Sequence, residues 1–306
     1  MTQWDPLVSV ITPSYNYGEF LAQCLESVRR QTYRHIEHIV VDALSTDDSA
    51  SVIDSFEGTY RIRATFQKDS GQADALNKGF AMAKGDVFCW LNADDYWLHE
   101  GVVEEAIRAL AIGVDVVTAG GMYVDHAANP LSAIAVSKRP VASQLRYGDP
   151  ILQPATLWRR SVHRPLRIDF RYAFDWDLFL AMAAGGARFR VIDTQWAAYR
   201  IHGSNKSVED SARRRGELAE ILRGQWGRLS PQHVWASSVF RGYRIAEALN
   251  STALKSGIRR LNAAMGRLTR GRVPRGDGYG LAKLANPTSS RHSPMGEGTT
   301  FQTRKH

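Results

Sequence analysis

The sequence predicts an α/β fold, a doubly wound and mostly parallel sheet flanked by helices, followed by a basic helical C-terminal extension. Three observations carry that expectation. Strand-like apolar runs and amphipathic helical patterns alternate about five times between residues 8 and 118, the order that builds a parallel sheet through crossover helices. Val87-Phe88-Cys89-Trp90-Leu91 is apolar without a break, as expected of a strand covered on both faces. After Ser207 the pattern is helical and rich in arginine.

Val8-Ser9-Val10-Ile11 opens the sheet as a short β-branched run, cut off by Thr12-Pro13-Ser14-Tyr15-Asn16. Phe20, Leu21, Cys24, Leu25 and Val28 then share one helical face. Ile36 to Val41 reads as a second strand ending at Asp42, and Thr46 to Phe56 as a helix that Ser45 or Thr46 can cap. A third strand covers Tyr60 to Phe66. Ala73, Leu76, Phe80 and Ala83 mark the next helix, closed by Gly85. The strand at 87–91 is followed by a helix from Gly101 to Ala111 and a strand from Val114 to Thr118. From about 120 to 207 the pattern is irregular, with short strands around Gln153-Pro154-Ala155-Thr156 and a helix starting near Asp175. The expected organisation is a domain at 1–207, a basic helical extension at 208–270 and a tail at 271–306. Gly, Pro, Ser and Thr dominate that tail, a composition that cannot bury enough surface to order itself.

The net charge of +8 is local in origin. Residues 1–210 carry 21 basic and 26 acidic side chains, whereas 211–306 carry 18 and 5. The acidic first part would repel phosphate, and no zinc-finger spacing or RNA-binding aromatic motif accompanies the basic part, so nucleic acid is not the expected partner. Cys24 and Cys89 are too few for a disulfide scaffold or a cysteine zinc module, and each reads as a small buried hydrophobe. No basic segment followed by an apolar one opens the chain, and no run approaches the length of a membrane span. The expected setting is cytoplasmic, with a peripheral position on the inner face of the membrane as an added option.

Ligands bind beyond the carboxyl ends of the strands in such sheets, which singles out Pro13 to Asn16, Asp42, Lys68 to Gly71 and Asn92 to Asp95. Asp94 and Asp95 are adjacent carboxylates after an apolar strand. They read either as a solvated turn or as a site for a hard divalent cation, Mg or Mn, shared with phosphate oxygens. Asp42 reads as a turn residue or as an acceptor for a base or ribose. Lys68 to Gly79 places Asp69, Gln72, Asp74 and Lys78 on a loop and the first turns of a helix.

Taken in order, Val8 to Asn16, Ile39 to Asp42 with Ser45-Thr46-Asp47, Asp69-Ser70-Gly71-Gln72, and Trp90 to Asp95 resemble the successive signatures of glycosyltransferase family 2. The resemblance covers roughly residues 6–207. It implies a GT-A fold and inverting transfer from a nucleotide-sugar donor, most simply a UDP-sugar, to a glycan or lipid-linked acceptor. It further implies that Pro13 and Tyr15 flank the base and that Asp42 bonds the base or ribose. Asp94 and Asp95 would hold the metal, diphosphate and ribose, and His202, in Tyr199-Arg200-Ile201-His202, would stand near the diphosphate or metal. Gln153 would lie by the acceptor, and Asp175, in Tyr172 to Leu178, would be the catalytic base. Two positions depart from the family pattern: Ala43 follows Asp42, and Phe174 precedes Asp175, where many members carry acidic residues.

The chemistry is coherent with that implication. Displacement at an anomeric carbon needs one general base for the acceptor hydroxyl and Lewis-acid stabilisation of a diphosphate leaving group, not a second carboxylic acid. Within Asp175-Trp176-Asp177 only one carboxylate can face the acceptor, and Asp175 is the chosen one. Trp176 is grouped with the acceptor side, and Asp177 reads as a cap or ion-pair partner there. The basic stretch 211–272, including Arg213-Arg214-Arg215, reads either as a surface for an anionic membrane or as a solvated face. A non-catalytic scaffold on the same fold is the alternative, and it would have no need of the carboxylates at 94, 95 and 175.

Overall fold

A computed structural model describes residues 4–136, 141–146, 148–203, 212–226 and 257. The expected alternation is present: β1 (Val8–Ser14), α1 (Gly18–Arg29), β2 (Ile36–Asp42), α2 (Ser49–Phe56), β3 (Ile62–Phe66), α3 (Gln72–Met82), β4 (Val87–Trp90), β5 (Tyr96–Trp97) and α4 (Val102–Ala111). It continues with β6 (Val116–Val124), β7 (Pro130–Ile134), α5 (Val141–Leu145), β8 (Thr156–Arg159), α6 (Phe174–Ala184), β9 (Phe189–Arg200) and α7 (Ala212–Trp226). Among the described residues the strands form one sheet in the order β3-β2-β1-β4-β8-β6-β9-β5, with β7 on β6.

The first four strands of that order run parallel. Buried on both faces, β2 alternates between two cores. Val40 joins Leu21, Leu25, Ile53 and Ala93 on the side of α1 and α2, whereas Ile39 and Val41 face the larger core. Each fully buried aliphatic side chain of this kind contributes about 1.5–3 kcal/mol. Cys24 and Cys89 are buried and unbridged, and burial pushes both thiols up.

The parallel expectation fails past β4. Antiparallel β8 lies between β4 and β6, so the strand expected at Val114–Thr118 is not the next parallel neighbour. It is also longer, because Gly120 and Gly121 let other chains close in: a Cβ on Gly121 would overlap Ala197 O, and one on Gly120 would stand 2.6 Å from Ile134 O. β9 therefore runs parallel alongside β6 over both glycines, with register shifts there.

The helix expected from Thr46 begins only at Ser49. Ser45, Thr46 and Asp47 are spent on cross-links instead. Ser45 donates to Asp42 from its backbone N and its Oγ, both at 2.7 Å, and Thr46 N donates to Asn16 Oδ1 at 2.8 Å. Asp47 accepts from Gly18 N at 2.9 Å and Ser49 N at 3.0 Å, so it holds the first residue of α2 from just ahead of the N-cap, Asp48, whose own side chain makes no capping bond.

α7 falls within the stretch 208–270 read as an extension, and it packs on the rest of the fold: Ile221 and Leu222 are buried in the main core. The remainder of that stretch, apart from Gly257, and the tail at 271–306 lie outside the described residues. Among the described residues no helix is long and apolar enough to cross a membrane.

Candidate active site

β1 is flanked by β2 and β4: the chain winds outward through β2 and β3 on one side, and α3 then carries it back to β4 on the other, the switch point at which such sheets open a crevice. A cleft lies there. The end of β1 lines it with Pro13, Ser14 and Tyr15, the start of α3 with Asp69, Gly71 and Gln72, and the end of β4 with Trp90, Asn92 and Asp94. Leu152, Gln153 and Pro154 continue the wall towards Arg171, Tyr172, Asp175, Tyr199 and Arg214. Gly71 has φ +135°, a conformation that favours glycine, and its N–H donates to Asp69 Oδ1 at 2.9 Å. A polar line crosses the floor: Gln72 Nε2 donates to Asn92 Oδ1 at 2.8 Å, Asn92 Nδ2 to Gln153 Oε1 at 3.3 Å, and Gln153 Nε2 to Trp90 O at 2.7 Å.

The two acidic neighbours part company. Asp94 faces the cleft, and its Oδ2 is 3.1 Å from His202 Nε2. Asp95 is turned inward, accepting from Asn92 Nδ2 at 3.0 Å and Arg200 N at 3.2 Å. Burial, and then the charge of Asp94, hold the Asp95 carboxyl well above the usual range. Burial and the same two carboxylates push up Tyr17. His202 packs against Phe20, ring centres 4.8 Å apart, behind Asp94. Asp94, Asp95 and His202 thus adjoin without forming a common ligand set. Among the described residues no three His, Cys, Asp or Glu side chains come together as one. Arg200 is a strut: its Nε holds Asp94 O at 3.0 Å, its Nη1 holds His126 O at 2.6 Å, and its guanidinium lies over Phe20.

Asp175 stands in the first turn of α6, where its Oδ1 accepts from Trp176 N at 2.8 Å. Burial pushes its carboxyl up to about 6, against the backbone N–H groups and Arg214, which pull it down. The loop entering α6 is held by Glu217 of α7, whose buried carboxylate accepts from the backbone N of Arg171 (2.7 Å), Tyr172 (2.8 Å) and Ala173 (3.1 Å).

The cleft brings together Pro13, Tyr15, Asp69, Gln72, Asp94, Gln153 and Asp175 from the residues singled out in the sequence. Others stand away from its lining. Asp42 is buried, both oxygens taken by Ser45. Asp74 and Lys78 pair at 3.2 Å and brace the loop, with Asp74 accepting Ser70 N and Lys78 donating to Lys68 O. Trp176 is in the core, its Nε1 on Leu145 O at 2.7 Å, so the helix turns it away from the cleft. Asp177 is half-buried on the side of Arg167, Asp169 and Glu220, and its carboxyl is raised by burial. Three residues of this region gave no sequence signal. Asp149, in Gly148-Asp149-Pro150, reads only as a turn, yet it is close enough to Asp175 for that carboxylate's charge to raise its own carboxyl. Arg214 and Glu217 sit in a stretch whose arginine content pointed to a surface.

Residues 9–144 match the family model for "Glycosyl transferase family 2". The chain is 31% identical over 217 residues to an uncharacterized glycosyltransferase, alr2836, of Nostoc sp., covering 66% of each chain. It is 40% identical over 99 residues to the putative teichuronic acid biosynthesis glycosyltransferase TuaG of Bacillus subtilis, covering 32% of this chain and 39% of that one. The chain therefore spans from about two fifths to just under two thirds of these relatives' lengths. Among solved structures, the mannosyltransferase PcManGT of Pyrobaculum calidifontis in complex with GDP-Man and Mn2+ superposes with TM-score 0.58 at 18% identity, covering 88% of this chain and 83% of that one. TarS 1-349 of S. aureus in complex with UDP-GlcNAc does so with TM-score 0.55 at 16% identity, covering 78% and 72%. A GT-A architecture, strand-end residues meeting in one cleft, and these matches lead to one conclusion: the chain belongs to glycosyltransferase family 2, a family of sugar-transferring enzymes.

Proposed function

We propose that this protein transfers a sugar from a nucleotide-sugar, preferentially UDP-linked, to a hydroxyl of a glycan or lipid-linked acceptor, with inversion at the anomeric carbon. The observation that carries this reading is one cleft lined by Asp94 on the strand-end side and by the raised carboxyl of Asp175 on the other. Relatives with nucleotide-sugars bound support the donor class, and the name of TuaG supports a place in cell-surface polysaccharide assembly. The cytoplasmic face, where activated sugars are made, is the proposed setting, with 211–272 as a contact for anionic lipid.

Pro13 and the exposed ring of Tyr15 would flank the base, and Asp69 and Gln72 the ribose and phosphates. Asp42, Asp74 and Lys78 would serve from behind, by holding the loops that carry these groups. Asp175 would take the proton of the acceptor hydroxyl as its oxygen bonds to the anomeric carbon. The bond from that carbon to the phosphate oxygen breaks with its electron pair, and the nucleoside diphosphate departs. Gln153 would orient the acceptor. A pair of neighbouring carboxylates with concentrated negative potential suits a hard cation, which Asp94 would hold with His202 at its flank and Asp95 reinforcing the charge. When bound, Mg or Mn supplies Lewis-acid stabilisation of the leaving diphosphate.

The test is a panel of UDP- and GDP-sugars read by thermal stabilisation and slow donor hydrolysis, with and without Mn2+. The productive donor at saturation should raise the melting temperature by about 5 °C with the metal. Asp94→Ala should abolish the metal-dependent part. Absence of stabilisation by every nucleotide-sugar overturns the reading.

A further inference from the structure

Behind the acceptor end of the cleft lies a second cavity, and Leu152 is the wall common to both. Ala119 from β6, Ile134 from the end of β7, Ile151 beside Leu152, and Val191 from β9 give it methyl-bearing walls, and Thr118 and Tyr123 of β6 add hydroxyl-bearing side chains. One acidic group stands among them. Asp149 lines this cavity, and only its Oδ1 has a partner, accepting Ile151 N at 2.9 Å. Its Oδ2 is buried and has no hydrogen-bond partner. A buried carboxyl oxygen left unmatched is costly, so an occupant that completes it is favoured.

We infer that this cavity is an acceptor subsite for an acetamido group, carried by the sugar whose hydroxyl, or whose neighbour's hydroxyl, is presented to Asp175. The inference rests on the transferase reading of the main cleft. An acetamido group brings a methyl for the walls and, on the same small unit, an N–H and a carbonyl for Asp149. Burial and the charge of Asp175 raise the Asp149 carboxyl above its ordinary range, and an amide answers either form of it. The amide carbonyl accepts the O–H of the protonated form, and the amide N–H serves the ionised form. A plain hydroxyl can meet the oxygen but leaves the methyl-lined space unfilled. The position is compatible with the acceptor, because Asp149 is near enough to Asp175 to feel its charge, while Leu152 also borders the cleft.

Saturation-transfer NMR on the full chain tests this with two probes, methyl β-D-glucoside and methyl N-acetyl-β-D-glucosaminide. The acetyl methyl should carry the strongest saturation, and the acetamido glycoside should bind about 10-fold more tightly. Ile134→Phe fills the cavity from a peripheral strand and should abolish that preference while UDP binding is retained. Asp149→Leu keeps the volume, removes the polar partner and should reduce the preference several-fold; it serves as the deciding variant if Ile134→Phe does not fold. Equal binding of the two glycosides, or a preference that survives both substitutions, overturns the inference. Titration with UDP in the same samples keeps the two readings apart: failure to bind any nucleotide counts against the transferase, whereas loss of acetyl selectivity alone counts against the subsite.

Discussion

At Asp175 the environment that suits a general base also works against the folded state. Burial raises the carboxyl from an ordinary 3.8 to about 6, so above pH 6 the folded chain holds a charge that the unfolded chain would carry more easily. As the pH falls from 6 towards 4, the folded form binds the proton first, and this group's contribution to stability rises. With Asp175 in its proposed role as the base, transfer uses the ionised form and should instead fade below about pH 6. Asp175→Asn should therefore abolish transfer, leave nucleotide binding intact and melt higher than the parent at pH 8, with the difference closing towards pH 4. A pH series of melting curves beside a transfer assay checks both halves. Asp94 was legible in the sequence because it follows an unbroken apolar strand, whereas Asp175 was legible only through the resemblance of Tyr172 to Leu178 to the acidic motif of the family. Asp149 was not, because a turn signature says nothing of a carboxylate 26 positions further on.

Among the elements, the α6–α7 junction shows where pattern reading stopped. The helix near Asp175 was expected, but not the means of holding its entry loop. Three consecutive backbone N–H groups converge on the single carboxylate of Glu217. Arg213 adds a bond to that carboxylate at 3.3 Å and another to Asp169 O at 3.0 Å, and Arg167 joins Glu220 at 2.6 Å. Arginines that resemble a lipid-facing stripe in the sequence are thus partly committed to the fold, a distinction that helical periodicity cannot make. Glu217→Ala leaves buried donors unmatched and should cost about 2–4 kcal/mol in chemical denaturation, with KM for the acceptor raised as the loop before Asp175 loosens. An unchanged denaturation midpoint would remove Glu217 from this role. The early strands β1 to β4 were readable because apolar runs and crossover helices determine one another. β8 and β9 were not, since their antiparallel and shifted pairings depend on partners distant in sequence and on the space left by Gly120 and Gly121.

For the whole molecule, the boundary drawn at 207 has a measurable counterpart. Ile221 and Leu222 contribute burial of about 2 kcal/mol each, and Glu217 is added to that. A chain ending at residue 226 should melt cooperatively, whereas one ending at 203 should lose that transition or melt many degrees lower. Equal melting of the two would show that α7 is dispensable. The sheet also divides by position along the chain. The strands that hold Pro13, Asp69 and Asp94 all precede residue 97, while Asp149, Gln153, Asp175 and Arg214 come after 144, where the family match ends. With antiparallel β8 as the seam, the residues proposed for the donor and those proposed for the acceptor lie in separate stretches of the chain. On that reading, a substitution can change where the sugar goes without touching the groups that hold the activated sugar.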